Sequence, residues 1–223
     1  MRIGAIILGR AKFGRWPGKV LYPIAGKPMI EWVIIKCKKC GFDEVVVSTT
    51  DLPEDKAIIE IAERQKVIIS FGDKEIRVKR IWTAAIEGEY DAIAFPTACT
   101  PFLDQEMTKR VVDGARLNPN NMYWWDGAVG RMSECPGIYR KDLLYRPGMR
   151  GEHPEKILDF HALKNIKGWK AYDWFNDEMR NKYLININIA YPFQALIANM
   201  VCDHLGHFPE NYDEVVKAYM EII

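Results

Sequence analysis

The sequence predicts a three-layer α/β domain built on a mainly parallel sheet. Three observations carry that expectation. Short, nearly continuous apolar runs recur along the first half, as suits strands buried on both faces. Each is followed by a stretch with apolar residues at helical spacing, and the alternation repeats four times, the pattern of parallel strands joined by right-handed crossovers. Finally, 223 residues at 48% hydrophobic content suffice for one large core.

Taken in order, Ile3 to Leu8 (IGAIIL) reads as the first buried strand, and Gly9 to Pro23 as a loop. Pro28 to Cys40 has helical spacing, with Pro28 suited to a first turn and Gly41 stopping the helix. Val45 to Ser48 is the second strand, Pro53 to Gln65 a helix, and Val67 to Ser70 the third strand. Glu75 to Gly88 reads as a helix, Asp91 to Phe95 as the fourth strand, and Asp104 to Leu117 as a helix. Met122 to Trp125, Gly137 to Arg140 and Leu184 to Ile189 are strand candidates, while 145–182 carries too mixed a pattern to assign. Phe193 to Leu205 and Tyr212 to Ile222 are two closing helices. No repeat or linker composition breaks the chain. One domain over 1–223 is expected, with a ligand-binding half (1–117) and a second half (118–223). In such sheets ligands bind beyond the carboxyl ends of strands, so the loops after Leu8 and Phe95 are the places to search.

Composition narrows the function. Lys and Arg number 31 against 30 Asp and Glu, a net charge of +1, which argues against a nucleic-acid partner. No apolar run approaches the ~18 residues of a membrane span, and the short apolar start lacks the features of a leader. Five cysteines at wide spacing, Cys37, Cys40, Cys99, Cys135 and Cys202, suit reduced thiols in a cytoplasm. Cys37 and Cys40 form a CxxC, but a zinc site needs two further ligands at matching spacing. His204 and His207 would supply them only by coincidence of the fold.

The most informative stretch is Gly9 to Lys19. It follows the first strand and holds Arg10, Lys12, Arg15 and Lys19 together with Gly9, Gly14 and Gly18. Glycine lets backbone approach a ligand, while amides, Arg and Lys neutralise phosphates. The spacing matches neither a Walker A loop nor GxGxxG.

The run from Ile6 to Ile30, with Gly9-Arg10, Arg15-Trp16-Pro17-Gly18-Lys19 and Gly26-Lys27-Pro28-Met29-Ile30, resembles the amino-terminal signature of the nucleotidyltransferases that activate sugars and sugar acids. It is most similar to the 3-deoxy-manno-octulosonate and acylneuraminate cytidylyltransferases and the SpsF-like spore-coat polysaccharide group. Val46 to Thr49, Gly72 to Ala85, Thr97 to Asp104, Glu152-His153 and Ile189-Ala190-Tyr191-Pro192 resemble further family stretches in order. The resemblance implies a Rossmann-like domain of the nucleotide-diphospho-sugar transferase type, related to the GT-A architecture. It also implies transfer of a nucleotidyl group, CTP being the favoured donor, to a sugar or sugar acid with release of pyrophosphate. Leu8, Gly9, Arg10, Arg15, Lys19, Arg80 and Thr97 are implied to bind the nucleotide, with Arg10 and Lys19 in the catalytic role. Glu152 and His153 are implied on the acceptor side, and a homodimer as the assembly.

The family's two metal-binding aspartates fall, on this resemblance, at Cys99 and Ala190. Magnesium wants carboxylate oxygens; cysteine is a soft ligand and alanine has no donor. No residue is therefore assigned to a metal, and Mg2+ would enter through nucleotide phosphates. Two readings stay open: a nucleotidyltransferase with a rearranged metal site, or a divergent nucleotide-binding homologue with regulatory or other transferase work. A GT-A glycosyltransferase usually shows Asp-x-Asp, which Asp173 to Asp177 does not supply. The aromatics Tyr123, Trp124 and Trp125, and Trp169, Tyr172, Trp174 and Phe175, suit a core or subunit interface more than base stacking.

Overall fold

In the computed structural model of the chain, β1 (Ile3–Leu8) runs through the middle of a six-stranded sheet. The structure describes residues 1–12, 15–120, 123–124, 135–142 and 189–222, the pair 123–124 by backbone alone. Ile3, Ala5, Ile6 and Ile7 are fully buried, because strands flank β1 on both edges and helices cover both faces. A side chain at Gly4 would lie 2.7 Å from the Tyr90 ring, so glycine here makes room for a buried aromatic.

The sheet order is β5 (Ile68–Phe71), β4 (Glu44–Thr49), β1, β6 (Ala92–Ala94), β8 (Ile138–Arg140), β7 (Tyr123–Trp124). The first four are parallel, with Ala5 between Val45 and Ala94; β8 and β7 continue the sheet antiparallel. A small hairpin, β2 (Pro23–Ile24) with β3 (Lys27–Pro28), lies apart.

Six helices complete the described fold: α1 (Met29–Cys37), α2 (Lys56–Arg64), α3 (Arg77–Glu87), α4 (Gln105–Leu117), α5 (Pro192–Leu205) and α6 (Tyr212–Ile222). Connections through α1 and α2 step outward from β1 to β4 to β5. Both helices bury Val33, Ile34, Ile58 and Ala62 against Ala5, Ile7, Val45 and Val47. The connection through α3 steps back past β1 to β6, and right-handed crossover then puts α3 on the opposite face, packed across β5, β4 and β1. Helix α4 covers Ile3, Ala92 and Ala94. The closing pair α5 and α6 joins Ile24, Met29 and Phe102 in a third cluster, which fastens the carboxyl-terminal segment to the start of α1.

Within the described residues the predicted elements other than the strand at Leu184 to Ile189 are present with shifted ends. The first helix is Met29–Cys37 rather than 28–40, because Pro28 pairs with Pro23 in the hairpin and the chain turns at Gly41 (φ +82°). Cys37 and Cys40 are buried at that helix end, and the Cys40 thiol donates to the Lys36 carbonyl at 3.2 Å. The stretch predicted as loop, Gly9 to Pro23, contains a 3-10 turn at Lys19–Leu21 and the start of β2; elements of two or three residues carry no readable period. Pro53 to Gln65 splits into a 3-10 turn, Pro53–Asp55, and α2. Asp104 starts α4 as its cap, accepting from the Met107 amide at 2.8 Å, and its second oxygen accepts from the Tyr212 amide at 3.0 Å. Of the strand expected at Leu184 to Ile189, only Ile189 lies within the described residues, and it is outside any strand.

One buried charge gives a pH prediction. Lys36 is 2% exposed; its ammonium donates to the Glu210 carbonyl at 3.3 Å and lies 5.3 Å from the centre of the Phe208 ring. Burial pulls its pKa down to about 8, with the Asp104 charge opposing. Unfolding restores a value near ~10.4. Between about pH 8 and pH 10.5 the unfolded chain therefore binds more protons than the folded one, and stability rises with pH across that window. Below it, the full cost of burying the charge is carried. Lys36→Met should stabilise the protein at pH 7, by roughly 1–3 kcal/mol. Its melting-temperature advantage should shrink as pH rises from 8 to 10. An advantage independent of pH would contradict this assignment.

Candidate functional site

Two loops meet where β1 and β6 end. The Leu8 amide donates to the Pro96 carbonyl (3.2 Å), the Ala98 amide to the Leu8 carbonyl (3.2 Å) and the Gly9 amide to the Ser48 carbonyl (3.1 Å). These bonds hold Gly9 and Thr97 side by side at the strand ends. A side chain on Gly9 would sit 2.8 Å from the Ile30 tip, so glycine lets the loop press onto α1. Further on, Gly18 takes φ +80° and its amide donates to the Ala11 carbonyl at 2.6 Å. That closure folds the basic loop back and sets Lys19 at the start of the 3-10 turn.

A cavity of about 340 Å³ lies between these loops and α3, within the size range of small-ligand sites. Leu8, Gly9, Arg10, Arg15, Lys19, Arg80 and Thr97 all line it, so the structure brings together the seven residues the sequence pointed to for nucleotide binding. Val20, Arg77, Ala98 and Cys99 complete the lining. Among the described residues five of the eleven that line it are cations and none is an acid, a surface suited to a polyanion.

Each cation is positioned differently. Arg10, with a side chain 9% exposed, pairs with the fully buried Asp55 at 3.7 Å and donates to the Lys74 carbonyl. Asp55 in turn accepts from the Ala11 amide at 2.7 Å and from the Thr50 hydroxyl. Arg15 donates to the Tyr191 hydroxyl at 2.9 Å and lies 5.3 Å from the centre of its ring. Arg77 and Arg80 stand on the first turn of α3, three residues apart and hence on one face. Arg80 is 3% exposed and donates to the Asp73 carbonyl at 2.8 Å. Burial, then the Arg10 charge, lower its pKa from the usual arginine value; Asp55 opposes this and Arg77 adds to it. Like charges crowded in this way favour an anion among them. Among the described residues the Lys19 ammonium has no acidic or hydrogen-bonding partner, which leaves it available to a ligand.

The positions implied to hold a metal also meet. The Ile189 amide donates to the Cys99 carbonyl at 3.1 Å, which brings the segment that carries Ala190 to Cys99. Their donor set does not fit magnesium, since a thiol and a methyl group offer no hard oxygen. Asp104 and Asp55 are committed elsewhere: both Asp104 oxygens accept backbone amides, and Asp55 serves Arg10 and Ala11; Asp91, near in sequence, accepts from the Arg2 amide at the far end of β6. Among the described residues no three His, Cys, Asp or Glu side chains gather as a metal site. His204 and His207 face Glu221 and Glu214 instead. Glu152, His153, Asp126, Asp173, Asp177 and the aromatics of 169–175 lie outside the described residues, as do the side chains of Tyr123 to Trp125.

Sequence reasoning missed Arg77, Asp55 and Tyr191. Arg77 had a usable signal, its helical spacing from Arg80. Asp55 and Tyr191 become part of the site only through long-range contacts.

A mainly parallel sheet with a cationic cavity beyond the ends of β1 and β6 is an architecture suited to binding a small anionic ligand. The cytidylyltransferase family model matches residues 4–147. The 3-deoxy-manno-octulosonate cytidylyltransferase of Coxiella burnetii is 38% identical over 199 residues, 84% of this chain and 71% of that protein. Its counterpart in Aliivibrio fischeri is 45% identical over 51 residues, 23% of this chain and 20% of that protein. Among solved structures, a cytidylyltransferase from Leptospira borgpetersenii superposes with a TM-score of 0.85 at 19% identity, covering 100% of this chain and 95% of that one. The CTP complex of CMP:2-keto-3-deoxy-manno-octonic acid synthetase gives a TM-score of 0.64 at 18% identity, over 89% and 99%. The chain belongs to the cytidylyltransferase family.

Proposed function

We propose that this chain transfers CMP from CTP to a sugar acid of the 3-deoxy-manno-octulosonate kind, releasing pyrophosphate, in the building of a cell-surface glycan. The observation that carries the reading is the cavity in which Arg10, Arg15, Lys19, Arg77 and Arg80 converge on the ends of β1 and β6, in a chain of this family. The similarity to the Coxiella burnetii enzyme supports the donor and the acceptor class.

In this reading an acceptor oxygen attacks the α-phosphorus in line. The new O–P bond forms as the bond from that phosphorus to the β-bridging oxygen breaks, and pyrophosphate leaves with the electron pair. The acceptor proton passes to solvent. Arg10 and Lys19 stabilise the charge that grows on the departing phosphates. Leu8, Gly9 and Thr97 line the approach, and Arg15 and Arg80 hold the phosphates. Glu152 and His153 serve the acceptor, within a carboxyl-terminal half (118–223) that also forms a homodimer. Any magnesium that takes part arrives on the nucleotide's phosphates. No described helix is long and apolar enough to cross a membrane, and the five cysteines are buried and outside any disulfide, as suits a cytoplasmic enzyme.

The test is pyrophosphate release from CTP with 3-deoxy-manno-octulosonate and, in parallel, other sugar acids. Turnover with CTP above that with UTP, GTP or ATP is expected. CTP binding without pyrophosphate release from any pair would instead make the chain a nucleotide-binding homologue.

A further inference from the structure

Cys99 and the segment of Ala190 meet where a metal-binding carboxylate pair is expected, and among the described residues no acid lines the cavity. The charge of a bound triphosphate must then be met by other groups. Arg77 and Arg80 line the same cavity, and each has a buried Nε without a hydrogen-bond partner among the described residues. A guanidinium keeps its proton under these conditions, so its charge cannot be discharged by titration. Of the nearby acids, Asp55 is engaged by Arg10, and the Asp73 carboxylate by Lys79 at 3.4 Å and by the Glu75 and Ile76 amides. Among the described residues the Arg80 guanidinium donates to the Asp73 carbonyl alone.

We propose that Arg77 and Arg80 supply the phosphate-neutralising charge that a carboxylate-held divalent cation would otherwise supply, so that this chain binds a nucleoside triphosphate without divalent metal. The proposal rests on the reading of the cavity as a triphosphate site. Planar guanidiniums suit the work because they bind phosphate oxygens bidentately, and the first turn of α3 presents both from one rigid element.

The test is calorimetric titration of CTP into the full chain, once with EDTA and once with magnesium. The dissociation constants are expected to agree within about threefold, where a metal-bridged site would separate them by tenfold or more. Arg77→Gln should weaken binding in EDTA by about tenfold or more, with magnesium recovering part of the loss. Arg77 is only half-buried, so this variant avoids the folding risk of replacing Arg80; a melting curve checks it. The double change Cys99→Asp with Ala190→Asp should make affinity rise with magnesium. CTP binding that requires magnesium in the unaltered chain would overturn the proposal and leave the nucleotide site standing. An Arg77→Gln variant with unchanged affinity in EDTA would also overturn it. Absence of CTP binding in both buffers would overturn the proposal and the triphosphate reading together.

Discussion

Lys19→Ala should weaken CTP binding by about 10- to 100-fold, the range expected on losing one charged hydrogen bond to phosphate. Pyrophosphate release should fall further, by roughly 100- to 1,000-fold, if Lys19 also meets charge that develops as the β-phosphate departs. Folding should be nearly unaffected, within about 0.5 kcal/mol, as for surface changes generally. The reason is local. Lys19 lies in a loop closed by the Gly18 amide on the Ala11 carbonyl, a backbone contact that alanine preserves. Its ammonium has no partner among the described residues, so removing it orphans nothing. Titration of CTP, steady-state kinetics and a denaturant melt separate the three effects. Unchanged CTP affinity would remove Lys19 from the site.

Asp55→Ala has the opposite profile. Asp55 is fully buried and holds Arg10, the Ala11 amide and the Thr50 hydroxyl at once. Its removal leaves a largely buried guanidinium uncompensated and two hydrogen-bonding groups unmet, a loss of about 3–5 kcal/mol. Asp55→Asn keeps the shape and one acceptor, so about half that loss is expected. The midpoint of denaturant unfolding measures both. A loss below 1 kcal/mol for the alanine variant would mean that the Arg10–Asp55 pair does not organise the loop.

The two residues show what can be read from sequence and what cannot. Lys19 was legible as a candidate because its neighbours are local: a buried strand, three glycines and four cations in eleven positions suggest a phosphate loop, and the family resemblance singles out Lys19 within it. The parallel sheet was legible for a similar reason, since strands covered on both faces keep continuous apolar runs such as IGAIIL. Asp55 was not, because Asp51-Leu-Pro-Glu-Asp55 has the composition of a solvated turn. Only folding carries it beneath Arg10, 45 residues away in sequence. Tyr191 is a still longer case: its hydroxyl meets Arg15 across 176 positions. Arg77 lay between these limits, since helical spacing tied it to Arg80 while the resemblance singled out Arg80 alone. The hairpin of β2 and β3 escaped because two-residue strands have no period to detect.

A crystal structure of the chain with CTP bears most directly on the central claim. The account predicts the triphosphate beyond the ends of β1 and β6, its oxygens within hydrogen-bonding distance of Arg10, Arg15, Lys19 and Arg77. Electron density for the triphosphate at any other place on the molecule, with this cavity holding none of it, would contradict the account.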